Sequence, residues 1–281
     1  MCKLKNSLMI VLTIMATTVI MSSCENKEEL DLKTNHISDD VIEKFKTLGF
    51  DVSDIQLQDG DELSGTAGQT NYVLEGDIVI TPEMLDKMLE SDIDHHGAMG
   101  EQYRTFNLVS SPQTISVIGY TGGSNALTTK MRQGLQDAIN RYNQLNINLN
   151  FSLSFSSSTN ADIVVYRVAG GAGGSAGFPS GGAPYKWVQI LSGLDNYSRA
   201  VNSHVIAHEI GHCLGLRHTD YFNRSLSCGS GGNEGSGGVG AVQIPGTPSG
   251  FDANSIMLSC FSSSATGVFG YYDRVALEYL Y

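Results

Sequence analysis

Lysine and arginine are scarce in this chain: 17 of them face 29 aspartates and glutamates, for a formal net charge of -12. No segment clusters its basic residues into the cationic face that nucleic-acid binding needs, so that partner class is excluded. Apolar runs are few as well, and beyond Met21 none approaches the roughly 20 residues of a membrane-spanning helix. Cysteine is sparse, five residues in all, and none lies between Cys24 and Cys213. No internal repeat occurs. What is present, 281 residues of which 41% are hydrophobic, suffices for one substantial core with a smaller extension.

Lys3 and Lys5 precede an apolar run from Leu8 to Met21 that ends in Met21-Ser22-Ser23-Cys24, the pattern of an export signal. Small residues directly before a Cys resemble the lipobox of bacterial lipoproteins. On that resemblance residues 1–23 are a signal peptide, Cys24 is the lipidated first residue, and the protein is exported as an outer-membrane or cell-surface lipoprotein held by lipid alone. An ordinary signal peptide with an incidental Cys24 is the alternative. Glu25, Lys27, Glu28 and Glu29 look like a surface-export tag or, equally, a solvated tether. Residues 25–106 carry 20 acidic and six basic side chains, whereas residues 107–281 carry nine of each. This asymmetry puts a boundary near residue 106, between an acidic tether with prosegment (24–106) and a catalytic domain (107–281).

In the acidic part Ser38-Asp39-Asp40 caps a short helix through Phe45 and Leu48, and residues 60–70 read as a polar linker. Two extended runs, 72–74 and 78–80, flank Glu75-Gly76-Asp77, a helix opens at Thr81-Pro82-Glu83, and a polar stretch from Ser91 to Arg104 follows. From Thr114 the pattern is α+β. Strands are expected at 115–120, 147–155, 163–168 and 186–191, with long helices at 126–145 and 199–216 and a terminal helix at 273–280. Glycine-rich stretches at 170–184 and 229–250 read as irregular.

The second long helix carries His208-Glu209-Ile210-Gly211-His212-Cys213-Leu214-Gly215-Leu216-Arg217-His218. Positions four apart share a helix face, so His208 and His212 can present two imidazoles to one metal ion. Gly215 can take a positive φ that ends the helix and turns the chain back, bringing in His218 as third ligand. Three protein ligands with one open position define a catalytic zinc site, and Glu209, one step round the helix, faces that opening as general base. From this chain's composition such a spacing should arise by accident in about two chains in 10⁵. His204 extends the same stripe but reads as a buried hydrogen-bonding residue, while His95 and His96 lie in polar sequence and read as solvated.

The pattern H-E-x-x-H-x-x-G-x-x-H resembles the metzincin clan of zinc endopeptidases, and His-Glu-Ile-Gly-His resembles its bacterial HEIGH group. The resemblance, over residues 107–281, implies a twisted mixed sheet with two long helices, one of them the zinc helix. It also implies an irregular C-terminal subdomain with a Met-turn, matched by Ser255-Ile256-Met257. The implied activity is endopeptidase hydrolysis with one catalytic Zn2+, protein or peptide substrates and no covalent enzyme intermediate. Some metzincins place a zinc-joining Tyr two residues after that Met. Ser259 stands there instead, so Tyr271 and Tyr272 read as packing residues. Asp220, two residues after His218, does not match the adamalysin position. Ser175-Ala176-Gly177-Phe178-Pro179 looks like the edge strand that pairs with substrate, or else a surface loop.

Two rival readings remain. A zinc-stabilised surface binding lipoprotein without turnover would give Glu209 no purpose, and an exopeptidase needs a charged group to capture a peptide end, which is not evident. Of the cysteines, Cys228 and Cys260 lie in loop-like sequence and are favoured as a disulfide, leaving Cys213 free in its helix. Finally, Val73-Leu74-Glu75-Gly76-Asp77-Ile78 resembles the F-x-G-D stretch of astacin prosegments, with Leu74 in place of Phe. The resemblance implies that Asp77 is a zymogen zinc ligand, and a plain hairpin turn is the alternative.

Overall fold

The computed structural model describes residues 37–90, 102–248 and 250–281. The signal segment, Cys24, the start of the tether, His95 and His96 lie outside the described residues.

The N-terminal part is a small unit of helix α1 (Asp39–Thr47), strands β1 (Gln56–Asp59), β2 (Thr70–Leu74) and β3 (Ile78–Ile80), and helix α2 (Pro82–Glu90). The Ser38 hydroxyl accepts from Val41 N, and the acids Asp39 and Asp40 sit in the first turn of α1, where the helix dipole favours them. The three strands form an antiparallel sheet. Phe45, Leu48, Phe50, Leu74, Ile78, Ile80 and Leu85 make its core, joined by Phe178 and Val239 from the C-terminal part. Strand β1 was not expected from the sequence, because Gln56-Leu57-Gln58-Asp59 is a polar edge with little apolar alternation.

The C-terminal part opens with β4 (Tyr103–Arg104) and continues through β5 (Gln113–Tyr120), α3 (Thr129–Tyr142), β6 (Leu149–Ser156) and β7 (Ile163–Val168). It then runs through β8 (Gly174–Ser175), β9 (Trp187–Leu191), α4 (Arg199–Leu214), α5 (Ser225–Cys228), β10 (Val242–Gln243) and α6 (Tyr271–Leu280). Its sheet has the order β6-β5-β7-β9-β8, with β8 alone antiparallel to its neighbour. This is the mixed α+β domain that the motif resemblance implies. Helices α3 and α4 cover one face over Ile115, Val117, Ile163, Val165, Val188 and Ile190. On the other face, Tyr166 donates to Asp61 Oδ2 (2.7 Å) and Gln58 donates to Gln189 Oε1 (2.7 Å), so the N-terminal unit docks there through polar groups.

Gln102–Phe106, on the N-terminal side of the expected boundary, is built into the C-terminal part. Gln102 is buried and donates to Asp273 Oδ1 (3.0 Å), β4 pairs with β10, and Thr105 N donates to Gly215 O (2.8 Å). A two-residue strand has no periodicity to read, which is why the sequence showed only a polar stretch here.

Helix α4 is buried on nearly every side from Val201 to Leu214, so its position depends on what packs around it. α3 presents Met131, Leu135, Ala138, Ile139 and Tyr142, at helical spacing, to the core. The two helices approach closely at Gly134, where a Cβ would stand 2.9 Å from Asn202 Cβ and 3.0 Å from its carbonyl carbon. Gly134→Val should therefore push the helices apart and cost about 1–3 kcal/mol of stability by overpacking. Denaturant unfolding of the zinc-loaded protein measures this, and an unchanged midpoint would refute the close contact.

Candidate metal centre

Ser198 caps α4, its hydroxyl accepting from Val201 N, and Gly215 ends the helix with φ 110° while its N–H returns to Gly211 O and His212 O. A Cβ at Gly215 would also meet Leu108 Cδ2 at 2.8 Å and Thr105 Oγ1 at 2.9 Å. Glycine is thus required there twice over, for its left-handed φ and for room. Beyond it, Arg217 N donates to Tyr103 O (2.8 Å), and the chain delivers His218 to the face carrying His208 and His212.

The three imidazoles are buried with their Nε2 atoms turned inward. His208 and His212 Nε2 stand 3.0 Å apart, and Asp77 Oδ2 lies 3.2 Å from His208 Nε2, 3.0 Å from His218 Nε2 and 3.9 Å from His212 Nε2. Each Nδ1 has an acceptor at 2.8 Å: Ile256 O for His208, Leu216 O for His212 and Glu234 Oε1 for His218. Ring protons on Nδ1 suit those contacts and leave every Nε2 bare in the metal-ready state, whereas without a metal burial is outweighed by the Asp77 and Glu234 carboxylates, which favour a second proton on His218 that a metal ion displaces. Two bare nitrogens 3.0 Å apart repel unless a cation stands between them. Donors about 2.0–2.1 Å from zinc at tetrahedral angles are about 3.3–3.4 Å apart, close to this spacing. Three neutral imidazoles and a carboxylate oxygen therefore form a donor set that fits zinc.

Glu209 points into the cleft beside Asp77, is 2% exposed, and its Oε2 has no hydrogen-bond partner. Burial, reinforced by the Asp77 charge, holds its carboxyl well above the usual carboxylate range. A dication nearby would oppose that. At Asp77, burial is outweighed by the His218 charge and the imidazole contacts, and its carboxyl lies well below its usual range. Gly174 admits Glu209, since a Cβ there would stand 2.6 Å from its Oε1.

Met257 is fully buried beneath the helix, and a Cβ on Gly211 would stand 2.5 Å from its Sδ. The Gly of the His-Glu-Ile-Gly-His run is thus what lets this turn sit against the helix. The turn is tied by Asp273, whose carboxylate accepts from Ile256 N (2.8 Å) and Ser255 Oγ (2.7 Å), and Ile256 O in turn orients His208. Asp220 accepts from Ser259 N (2.9 Å) and Ser259 Oγ (3.0 Å), so it acts as a clamp away from the metal group. Tyr271 is exposed, not packed as expected. Cys228 and Cys260 form a disulfide, and Cys213 is free and buried. His204 stays outside the metal group. Its Nε2 has no hydrogen-bond partner, and burial with His208 nearby lowers its pKa to about 4.

Asp77 arrives from the β2–β3 hairpin, where Glu75 (φ 59°) and Gly76 (φ 93°) are left-handed. The segment runs beside the residue following β8: Ala176 N donates to Asp77 O (2.9 Å) and Val79 N to Ala176 O (2.7 Å). A hairpin turn and a carboxylate aimed at the imidazoles are therefore one feature, not alternatives.

Sequence reasoning missed Glu234, Arg217 and Glu75. Glu234, the sole acid of the glycine-rich 229–250 loop, is the only one with a signal in composition. Glu75 Oε1 lies 2.5 Å and Glu234 Oε2 3.7 Å from Arg217 Nη2, all fully buried or nearly so. Burial pushes the Glu75 carboxyl upward, and the Arg217 guanidinium 2.5 Å away opposes this. At Glu234 burial is overcome by His218 and Arg217, which hold it down to about 2. Glu234 thus keeps its charge against His218 Nδ1–H. Glu234→Gln should weaken zinc binding by about 10–100-fold with the fold retained, as measured by chelator competition, and unchanged affinity would remove Glu234 from this role.

The model of the family described as dual-action HEIGH metallo-peptidase matches residues 72–281, a span holding both the Leu74–Ile78 hairpin and His208–His218. No curated protein sequence matches the chain. Among solved structures, two of myroilysin are similar at 16% and 17% identity with TM-scores of 0.37 and 0.38. They cover 61% and 71% of this chain and 80% and 95% of their own. Metalloproteinase-II from Bacteroides fragilis is similar at 12% identity and a TM-score of 0.33, covering 79% of this chain and 81% of its own. With three quarters of its length matched by the family model, this chain belongs to the HEIGH metallo-peptidase family and is a zinc metallopeptidase acting on protein or peptide substrates.

Proposed function

We propose that the chain is an exported, lipid-anchored zinc endopeptidase made as a latent precursor, with His208, His212 and His218 holding the zinc, Glu209 as general base and Asp77 as the blocking group. The observation that carries this reading is the convergence of three imidazole Nε2 atoms and the Asp77 carboxylate, beside the buried Glu209, whose Oε2 has no hydrogen-bond partner. Zinc, when bound, supplies a Lewis acid that makes water acidic near neutral pH and polarises the scissile carbonyl. The chain's own work is positional. Glu209 takes the proton of the attacking water at its carboxylate and later hands a proton to the leaving amine. The backbone of Ala176, which already exchanges two hydrogen bonds with the Asp77–Val79 strand, is the rail on which an extended peptide is held.

Latency follows from the chemistry of Asp77. An ionised carboxylate is a good oxygen ligand for zinc and competes with water for the open position. Its pKa direction favours the ionised form, and the hairpin cannot leave without breaking the Ala176 pairing. Activation then needs a cut between the N-terminal unit and the built-in Gln102, within Ser91–Glu101, so the mature enzyme keeps β4. Those residues lie outside the described ones.

In the zinc-loaded precursor, Asp77→Ala should raise hydrolysis of a denatured protein before any processing, and internal fragments should vanish with chelator. Adding Glu209→Ala to that variant should lower the rate by about 10²–10⁴-fold while about one zinc stays bound. A silent Asp77→Ala precursor that is folded and zinc-loaded rules out the blocking role. Loss of zinc on changing Glu209 rules out its assignment as base.

Anchoring rests on the Cys24 pattern alone. Among the described residues no helix is long and apolar enough to cross a membrane. Cys24→Ser should shift the protein from the membrane fraction to soluble material, and retention in the membrane would refute the anchor.

A further inference from the structure

We propose that the cavity now filled by the Glu75 side chain is a recognition pocket for an acidic side chain of the substrate, with Arg217 as its specificity-determining residue and Arg224 at its rim. This rests on the reading that the N-terminal unit leaves on activation.

Arg217 is fully buried, and its two ends have different tasks. Nη1 donates to the carbonyls of Gly235 (2.8 Å) and Ser236 (3.0 Å), pinning the glycine-rich loop. Nη2 faces Glu75 Oε1 at 2.5 Å, with Glu234 Oε2 further off at 3.7 Å. Half of a buried guanidinium is therefore committed to a carboxylate from the part of the chain that is removed. Arg224 repeats the arrangement: its Nη1 lies 3.3 Å from Asp54 Oδ2, and its Nη2 lies 3.2 Å from the Cβ position of Gly76. Both cations of this wall thus meet carboxylates contributed by the N-terminal unit.

The groups facing Glu75 are Arg217, Glu234 and His218, with Arg224 beside them. Once Asp54 and Glu75 depart, two guanidiniums remain against one carboxylate, a formal excess of one positive charge with His218 neutral. Arg217 and Arg224 would then share Glu234 alone, so Arg217 loses its nearest carboxylate, and a carboxylate returning to the same place restores that contact. Geometry makes that place reachable. Glu75, Gly76 and Asp77 line one cavity of about 250 Å³ together with His208, Glu209 and Arg224. A peptide on the Ala176 rail with a residue at the metal therefore brings a neighbour within two positions to Arg217. Glu75 acts as an internal stand-in for that substrate side chain.

The test uses full-length zinc-loaded protein processed within Ser91–Glu101, by itself or by an added protease. Matched peptides carrying Glu, Gln or Lys at each of three positions either side of the scissile bond are compared by kcat/KM. At one position Glu should exceed Gln at least tenfold and Lys by more, with the ratio falling toward one in Arg224→Gln and Arg217→Gln. Arg217 also supports the loop, so a misfolded Arg217→Gln decides nothing by itself. The Glu-to-Gln comparison on the unchanged protein stands without it. In parallel, a fluorescent Val73–Val79 peptide with Glu or Gln at position 75 is titrated against the processed protein, which needs no turnover. The Glu form should bind at least tenfold tighter. Rates and affinities within twofold for Glu and Gln would overturn the pocket even if peptides are cleaved. Tighter binding of the Glu form with no cleavage would keep the pocket and refute the endopeptidase reading.

Discussion

Three imidazole Nε2 atoms are held face to face inside the protein, and much of the C-terminal structure keeps them so. Their Nδ1 protons are tied to Ile256 O, Leu216 O and the Glu234 carboxylate, which fixes tautomer and ring direction together. Nε2 atoms this close need a proton or a metal ion among them, so metal binding, protonation and local stability are coupled. Each acceptor needs support in turn. Asp273 holds the turn bearing Ile256, the left-handed Gly215 places Leu216, and Arg217 fastens the loop that carries Glu234.

Close approach is the second constraint, and it explains residues that carry no chemistry. The zinc helix is buried on nearly all sides, so neighbours must come to backbone distance. Gly134 admits α4 to α3, and Gly211 admits the sulfur of Met257. In a close-packed interior one added methyl at either place has nowhere to go. The motif's glycine at 211 is thus a packing requirement on the rear of the site, whereas its histidines and glutamate serve the front.

The N-terminal unit meets the catalytic part through an apolar patch, where Phe178 and Val239 join its core, and through polar groups. Asp61 reaches Tyr166, Gln58 reaches Gln189, Asp54 reaches Arg224 and Glu75 reaches Arg217. Polar contacts of that kind add specificity at modest net free energy, because each exchanges with water. It also gives the acidic excess of this region a physical use: some of its carboxylates neutralise cations beside the cleft.

The metal-binding character, the identity of the zinc helix and the α+β pattern could be read from one dimension, because the fixed offsets of His208, Glu209, His212 and His218 and the apolar period of α3 are properties of neighbours along the chain. The Asp77 turn and the Cys228–Cys260 pair could be pointed to but not placed. Tertiary structure alone decided that Glu234 orients His218, that Glu75 pairs with Arg217 142 residues away, and that Gln102–Phe106 belongs with the catalytic part. It also decided that His204 is left without a partner for its Nε2. These contacts join single residues from irregular segments, where no periodicity or spacing marks a partner. Only the folding of a glycine-rich loop and a hairpin onto the same buried helix brings such residues together.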